Sequence, residues 1–252
     1  VAVIRGASKW VKDSQDSSDG AKDLIRPASE DLFSVGTHEA RIEGARSAVF
    51  NRRTVRNFLD EPVPQVVIAN ALRAGASAPA PHHTQPWRFL VLEKDKQGEQ
   101  GKQSEQGKKR TLLLDAMRDK WIEDLRAEGK SDDEITRRVA RGNVLRTAPT
   151  VIFPFIDLAS GAHTYPEPAG RNLSELHMFL IAGGAAVENI LISIANQGFG
   201  SAWISSSIFC PQTMREHLQL PDSYWPLGGI AVGRPAASAP AREEVDIEKL
   251  LI

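Results

Sequence analysis

Three guanidinium groups and a hydroxyl fall within five residues at Arg52, Arg53, Thr54 and Arg56. Arginine forks match the oxygens of a phosphate and stay charged at every physiological pH. A helix or turn start at the same place would add backbone N–H groups. The run by itself equally describes a solvated basic face, so it points to a phosphate only with partner motifs. One partner is the Pro/His loop from Ala78, through Ala80, His82, His83 and Gln85, to Phe89. Gln85 can both donate to and accept from the amide edge of a planar heterocycle. A second is Gly198 to Ile204, where Gly200 and Trp203 follow a long apolar segment and bare backbone could lie against a ring. Gly198 also suits a helix C-cap. Arg234 supplies a last cation after Gly233. A metal centre is not expected, because the other four of the six histidines show no ligand spacing with His82 and His83.

These residues need a scaffold, and the composition allows one. The 252 residues are 41% hydrophobic and 25% charged, with a formal net charge of -1. The near-zero charge provides no global field toward nucleic acid or an anionic membrane, so any anion site must be local. The single cysteine, Cys210, excludes an intramolecular disulfide, fits a reducing cytoplasm and reads as a small buried hydrophobe. The apolar run from Ala182 to Ile194 carries Glu188 and Asn189 and reads as too short and too polar to span a bilayer.

Along the chain, Val1 to Arg5 is a β-type run, Lys9 to Lys22 a polar loop, and Asp23 to Phe33 a few apolar anchors. The texture changes near Ser34 to Thr37, which is the expected boundary between a tail (1–36) and the main domain (37–252). Helices are expected over Ala40–Asn51, Val66–Ala74, Leu112–Glu128, Asp132–Arg141 capped by Ser131, Leu173–Asn196 and Pro211–Leu218. Strands are expected over Trp87–Glu93, Ala148–Ile156 and Gly228–Val232, with Gly200–Ser207 a strand or turn. Lys94–Lys109 reads as a mobile polar insert. Ala182 to Ala186, with Gly183 and Gly184, would let a helix or ring approach closely. Val245 to Ile252 reads as an apolar arm lying on another surface, such as a second subunit. Strands separated by helices without a repeat give a layered α+β fold.

Taken in order, RRTVR at Arg52–Arg56, APAPHHTQPWRF at Ala78–Phe89, QGFGSAWI at Gln197–Ile204 and GRP at Gly233–Pro235 resemble the nitroreductase family. That resemblance implies a mixed sheet flanked by helices, a domain-interlocked homodimer and FMN at the dimer interface. By position it places Arg52, Arg53 and Arg234 on the phosphate, with Thr54 and Val55 in the same run. It places Arg56 and Gln85 at the pyrimidine side, and Gly200 and Trp203 at the ring face. Ala80 and His83 stand where the family often has Ser and Asn. VAVIRG at Val1–Gly6, DGAKDLIRP at Asp19–Pro27 and EDLF at Glu30–Phe33 are similar to the tail of the glutamate ligase that extends the deazaflavin coenzyme F(420).

Together the two resemblances imply hydride transfer from reduced FMN to dehydro-F(420)-0, with poly-γ-glutamylation carried out by an upstream ligase domain. No side chain is assigned a proton-transfer role. The anionic substrate needs its own cations, and the candidates are Met117, Arg118 and Trp121 or the Arg137, Arg138, Arg141 cluster. Two alternatives stay open: a generic NAD(P)H-dependent FMN reductase of quinones or nitroaromatics, and a non-catalytic F(420)-binding module.

Overall fold

A computed structural model describes residues 48–95, 104–166, 169–238 and 245–252. The expected N-terminal tail, its boundary near residues 34–37 and the start of the first helix lie outside the described residues. Eleven elements matter for the site: helix α1 (Gln65–Ala76), strand β1 (Trp87–Glu93), helices α2 (Glu105–Ala127), α3 (Asp132–Ala140) and α4 (Val144–Thr147), strand β2 (Thr150–Asp157), helix α5 (Ala169–Asn196), strand β3 (Gly200–Ile204), helix α6 (Pro211–Leu218), and strands β4 (Tyr224–Pro226) and β5 (Gly229–Gly233).

The strand order is β1-β2-β5-β3, with β4 pairing on β2. All these pairs are antiparallel. The parallel component of the sheet is a single bridge, Thr54 with Ser201. β4 and β5 share one edge of β2, separated by Leu227 and Gly228, where a positive φ of 104° turns the chain. Three residues were too few to read β4 from the sequence.

β2 is buried at every position because helices cover both faces of the sheet. Ile152 and Ile156 point to one core with α1 and α5, while Val151, Phe153 and Phe155 point to the other with α2, α4 and α6. The two-residue alternation of a strand divides them.

α5 is the axis of the first core. By length and hydropathy Gly170–Asn196 could cross a bilayer, a longer apolar stretch than Ala182–Ile194, yet 44% of an 18-residue apolar window within it is buried inside the fold. It packs along α1, and a Cβ on Gly75 would stand 2.7 Å from Ile190 Cγ1. The expected close approach at the paired glycines is split: Gly183 meets Leu227 and Ile156, whereas Gly184 faces open space.

The second core corrects the insert at 94–109. α2 begins at Glu105, seven residues before the expected start, because Ser104 caps it by accepting from the Gly107 N–H at 3.0 Å. Asp95 accepts from the Ser104 N–H at 2.9 Å and fastens the near end of the insert. Arg110, 4% exposed, donates to the carbonyls of Leu145 at 2.7 Å and Ala148 at 2.6 Å, around the C-terminus of α4. Burial lowers its pKa to about 10, so it remains a cation at neutral pH.

Cys210 is buried as expected, and desolvation above all, then the charge of Asp124, raises its thiol pKa to about 11, with Lys120 opposing. A thiol held this high is scarcely ionised at pH 8. Its reaction with a disulfide reagent in the native protein should therefore be on the order of 10²-fold slower than that of a free thiol. Reagent kinetics with and without denaturant check this, and equal rates would contradict it.

Candidate functional site

The arginine run leaves a helix at its C-terminal end. Residues 48–51 are helical, Arg52 N donates to Ala48 O, and the chain then extends to bridge Ser201 through Thr54 and Pro235 through Phe58. Among the described residues this end of the run is a helix C-terminus rather than the helix start expected, so the guanidinium groups are the cations that would meet an anion here. Arg53 spends one nitrogen on the Phe50 carbonyl at 2.6 Å and the Arg52 carbonyl at 3.0 Å. Arg52 Nε lies 3.0 Å from Glu188 Oε1, without the alignment of a hydrogen bond. Arg56 is exposed.

Arg52, Arg53, Val55 and Gly200 line one open cleft of about 700 Å³, with Ala195, Phe199 and other residues at the end of α5. Gly200 is required by packing, since a Cβ there would stand 2.8 Å from Val55 Cβ. Arg234 lies over the Phe199 ring at 5.0 Å while its Nε bonds Glu61 at 3.0 Å. The cleft thus brings Arg52 and Arg53 of one motif beside Gly200 of another, with Arg234 over its Phe199 but not among its lining residues. Glu188 and Glu61, missed in the sequence, partly neutralise it.

Trp203 and the Pro/His loop are not among the cleft's lining residues. Trp203 sits further along β3, 41% exposed, and donates from Nε1 to the Leu227 carbonyl at 2.6 Å. The loop packs near the other end of α5, where His82 Nε2 meets Glu175 Oε1 at 2.9 Å. Thirteen residues at 1.5 Å each separate Glu175 from Glu188, so the loop and the arginines lie about 20 Å apart along the helix. A single chain does not assemble both halves of the expected site.

The loop is strained. His82, His83 and Gln85 have φ of 52°, 55° and 48°, a region that costs a non-glycine residue roughly 1 kcal/mol or more. Ala80 precedes them in extended conformation. Turn bonds hold the shape, with Thr84 donating from Oγ1 to the Pro81 carbonyl at 2.8 Å.

Folding brings His163 over His82, ring centroids 4.2 Å apart, beside Glu175. Residues 82, 163 and 175 have no ligand spacing in sequence, so nothing local announced the cluster.

Of the substrate candidates, Met117 is 5% exposed inside the second core and cannot reach a ligand. Arg118 is tied to Asp115 at 3.2 Å and Asp119 at 2.8 Å on its own helix, and the Asp119 hydrogen bond chiefly raises its pKa. Trp121 is half-buried against Gly142. In the other cluster Arg137 and Arg141 are exposed, and Arg138 lies 3.9 Å from Glu134.

Known proteins show the same architecture. A BluB-like flavoprotein of Clostridium difficile superposes with a TM-score of 0.64 at 18% identity, over 82% of this chain and 97% of that one. A nitroreductase-type protein of Desulfovibrio desulfuricans, solved in complex with FMN, superposes with 0.60 at 23% identity, over 82% and 95%. In sequence, the iodotyrosine deiodinase of Danio rerio is 25% identical over 90% of this chain and 72% of its own length. That of Nematostella vectensis is 35% identical over 29% of this chain, a stretch spanning only 28% of that relative. Residues 49–234 match the nitroreductase family, and with the antiparallel sheet enclosed by helices this establishes that the chain belongs to that family.

Proposed function

We propose that the chain is an FMN-dependent reductase domain of coenzyme F(420) biosynthesis, reducing dehydro-F(420)-0 and supporting poly-γ-glutamylation by an upstream ligase domain. The observation that carries the flavin reading is the cleft where Arg52 and Arg53 meet the glycine-lined end of α5. The residues fit a phosphate: neither Nη of Arg52 bonds a described residue, and Arg234 stands at the rim. The FMN complex of the Desulfovibrio protein supports the choice of flavin. The ligase-like motifs at Val1–Gly6 and Asp19–Phe33 support the choice of substrate.

Bound FMN would supply two-electron reduction. The chain would hold its phosphate with Arg52, Arg53 and Arg234, and Arg56 would stabilise negative charge at the pyrimidine end. Thr54 and Val55 keep the run in register against Ser201 and Gly200. Of the candidate cations Arg118, Arg137, Arg138 and Arg141, Arg137 and Arg141 are exposed and would attract the substrate's acidic groups.

A second copy of the chain completes this reading. Leu173, Met178 and Ile181 of α5 are exposed, Ile181 by 75%, and Gly184 beside them faces open space. Two chains packed antiparallel along this stripe would bring the Pro/His loop of one, with Ala80, His83 and Gln85, to the arginine cleft of the other. The exposed arm at Val245, Ile247, Leu250 and Leu251 supplies further apolar surface for such a homodimer.

The test is anaerobic incubation of the FMN-loaded chain, chemically reduced, with dehydro-F(420)-0. Gain of two hydrogens by the product in mass spectrometry is the expected result, from a protein that sediments as a dimer. Turnover of quinones with NADPH but none of dehydro-F(420)-0 would establish the generic reductase instead. Tight F(420) binding without reduction would establish the binding module.

A further inference from the structure

We propose that His82, His163 and Glu175 form a site for a divalent transition ion of the Zn²⁺ type, separate from the arginine cleft of the same chain. Two imidazoles and a carboxylate are the donor set that three-ligand zinc centres use, leaving a fourth position for water. One ligand atom from each residue lies within 4.8 Å of the other two. Ligands 2.0–2.1 Å from a tetrahedral ion stand about 3.3 Å apart, so closure asks for movements of roughly 1.5 Å at most. The His82 Nε2 to Glu175 Oε1 separation is already 2.9 Å.

Three different segments converge here, each held by its own bonds. Glu175 is 6% exposed on α5 and accepts the His163 backbone N–H at 2.9 Å. The segment carrying His163 follows the turn at Asp157, whose carboxylate takes bonds from Arg88, Ser160, Ser223 and the Ala159 N–H. His82 is presented by the strained loop, whose φ of 52° aims the ring at α5.

Imidazole lone pairs lie in the ring planes, and the present 23° stack sends the two pairs roughly side by side. Chelation therefore requires His163, exposed and anchored by its backbone, to swing out of the stack. The bound ion would lock the loop at Ala80–Gln85 to the N-terminal half of α5 and offset the loop's strain.

The experiment is calorimetric titration of the untagged chain with Zn²⁺, together with Co²⁺ titration followed in the visible spectrum. The expected result is one ion per chain, an intense Co²⁺ band of low coordination number and a higher unfolding temperature with Zn²⁺. His82→Ala and Glu175→Gln should each weaken Zn²⁺ at least as much as loss of an outer-sphere partner does, about 10–100-fold. His163→Ala tests the same point with the Glu175 backbone bond kept, should either of the others fail to fold. His217→Ala, on the opposite side of the sheet, should bind like the parent. The proposal is overturned if the parent binds no ion, or if the cluster variants that fold bind as tightly as His217→Ala.

Discussion

Replacing Arg52 and Arg56 together by alanine is expected to weaken FMN binding by about 100-fold or more. A charge-assisted hydrogen bond contributes roughly 1.5–3 kcal/mol, and two of them would exceed this figure in a closed site. Exposure of Arg56 and the pairing of Arg52 with Glu188 reduce the sum, which is why the lower end is expected. Quenching of flavin fluorescence on titration measures the change, and urea unfolding should show little loss of stability. Equal FMN affinity in variant and parent would remove these arginines from the cofactor site.

Arg110→Ala is expected to be the most damaging single substitution in the second core. The guanidinium satisfies the carbonyls of Leu145 and Ala148 and reaches Arg146 and Pro149 at 3.4 Å each, with no carboxylate bonded to it among the described residues. Alanine would leave at least two buried acceptors without donors and a cavity beneath β1, costing about 3 kcal/mol or more. A native chain has only about 5–15 kcal/mol in reserve, so the variant should unfold at clearly lower urea. Arg110→Lys should recover only part, because one ammonium cannot span both carbonyls. A loss below about 1 kcal/mol for the alanine variant would show the network to be dispensable.

Arg110 also shows where sequence reading stops. Its neighbours up to Lys109 are rich in Gly, Gln and Lys, a composition that reads as mobile, and local propensity gives no hint that a cation there is buried. The helix extends upstream because Ser104 caps it and the α4 carbonyls receive Arg110, and those carbonyls come from residues some 35 positions away. By contrast α1, α3 and α6 were legible to within two residues, and α5 at its C-terminal end though it starts four residues earlier than expected, since their apolar periodicity and capping signals are local. Strand β2 was legible as an unbroken apolar run, the mark of a strand covered on both faces.

The candidate site divides along the same line. The sequence by itself determined which chemistries were available: three arginines in five residues, a glycine-flanked end of a small-residue helix, a Pro/His loop, and their order, which carries the family. Each of these is a property of neighbouring residues. Only the tertiary structure decided which of them meet. It set Arg52 and Arg53 at one end of α5 and the loop at the other, placed Glu188 against Arg52, sank Met117 into the core, and stacked His163 on His82 beside Glu175. Those outcomes depend on how a long helix lies across a sheet, and burial of its apolar face, a sum over distant contacts, is what fixes that.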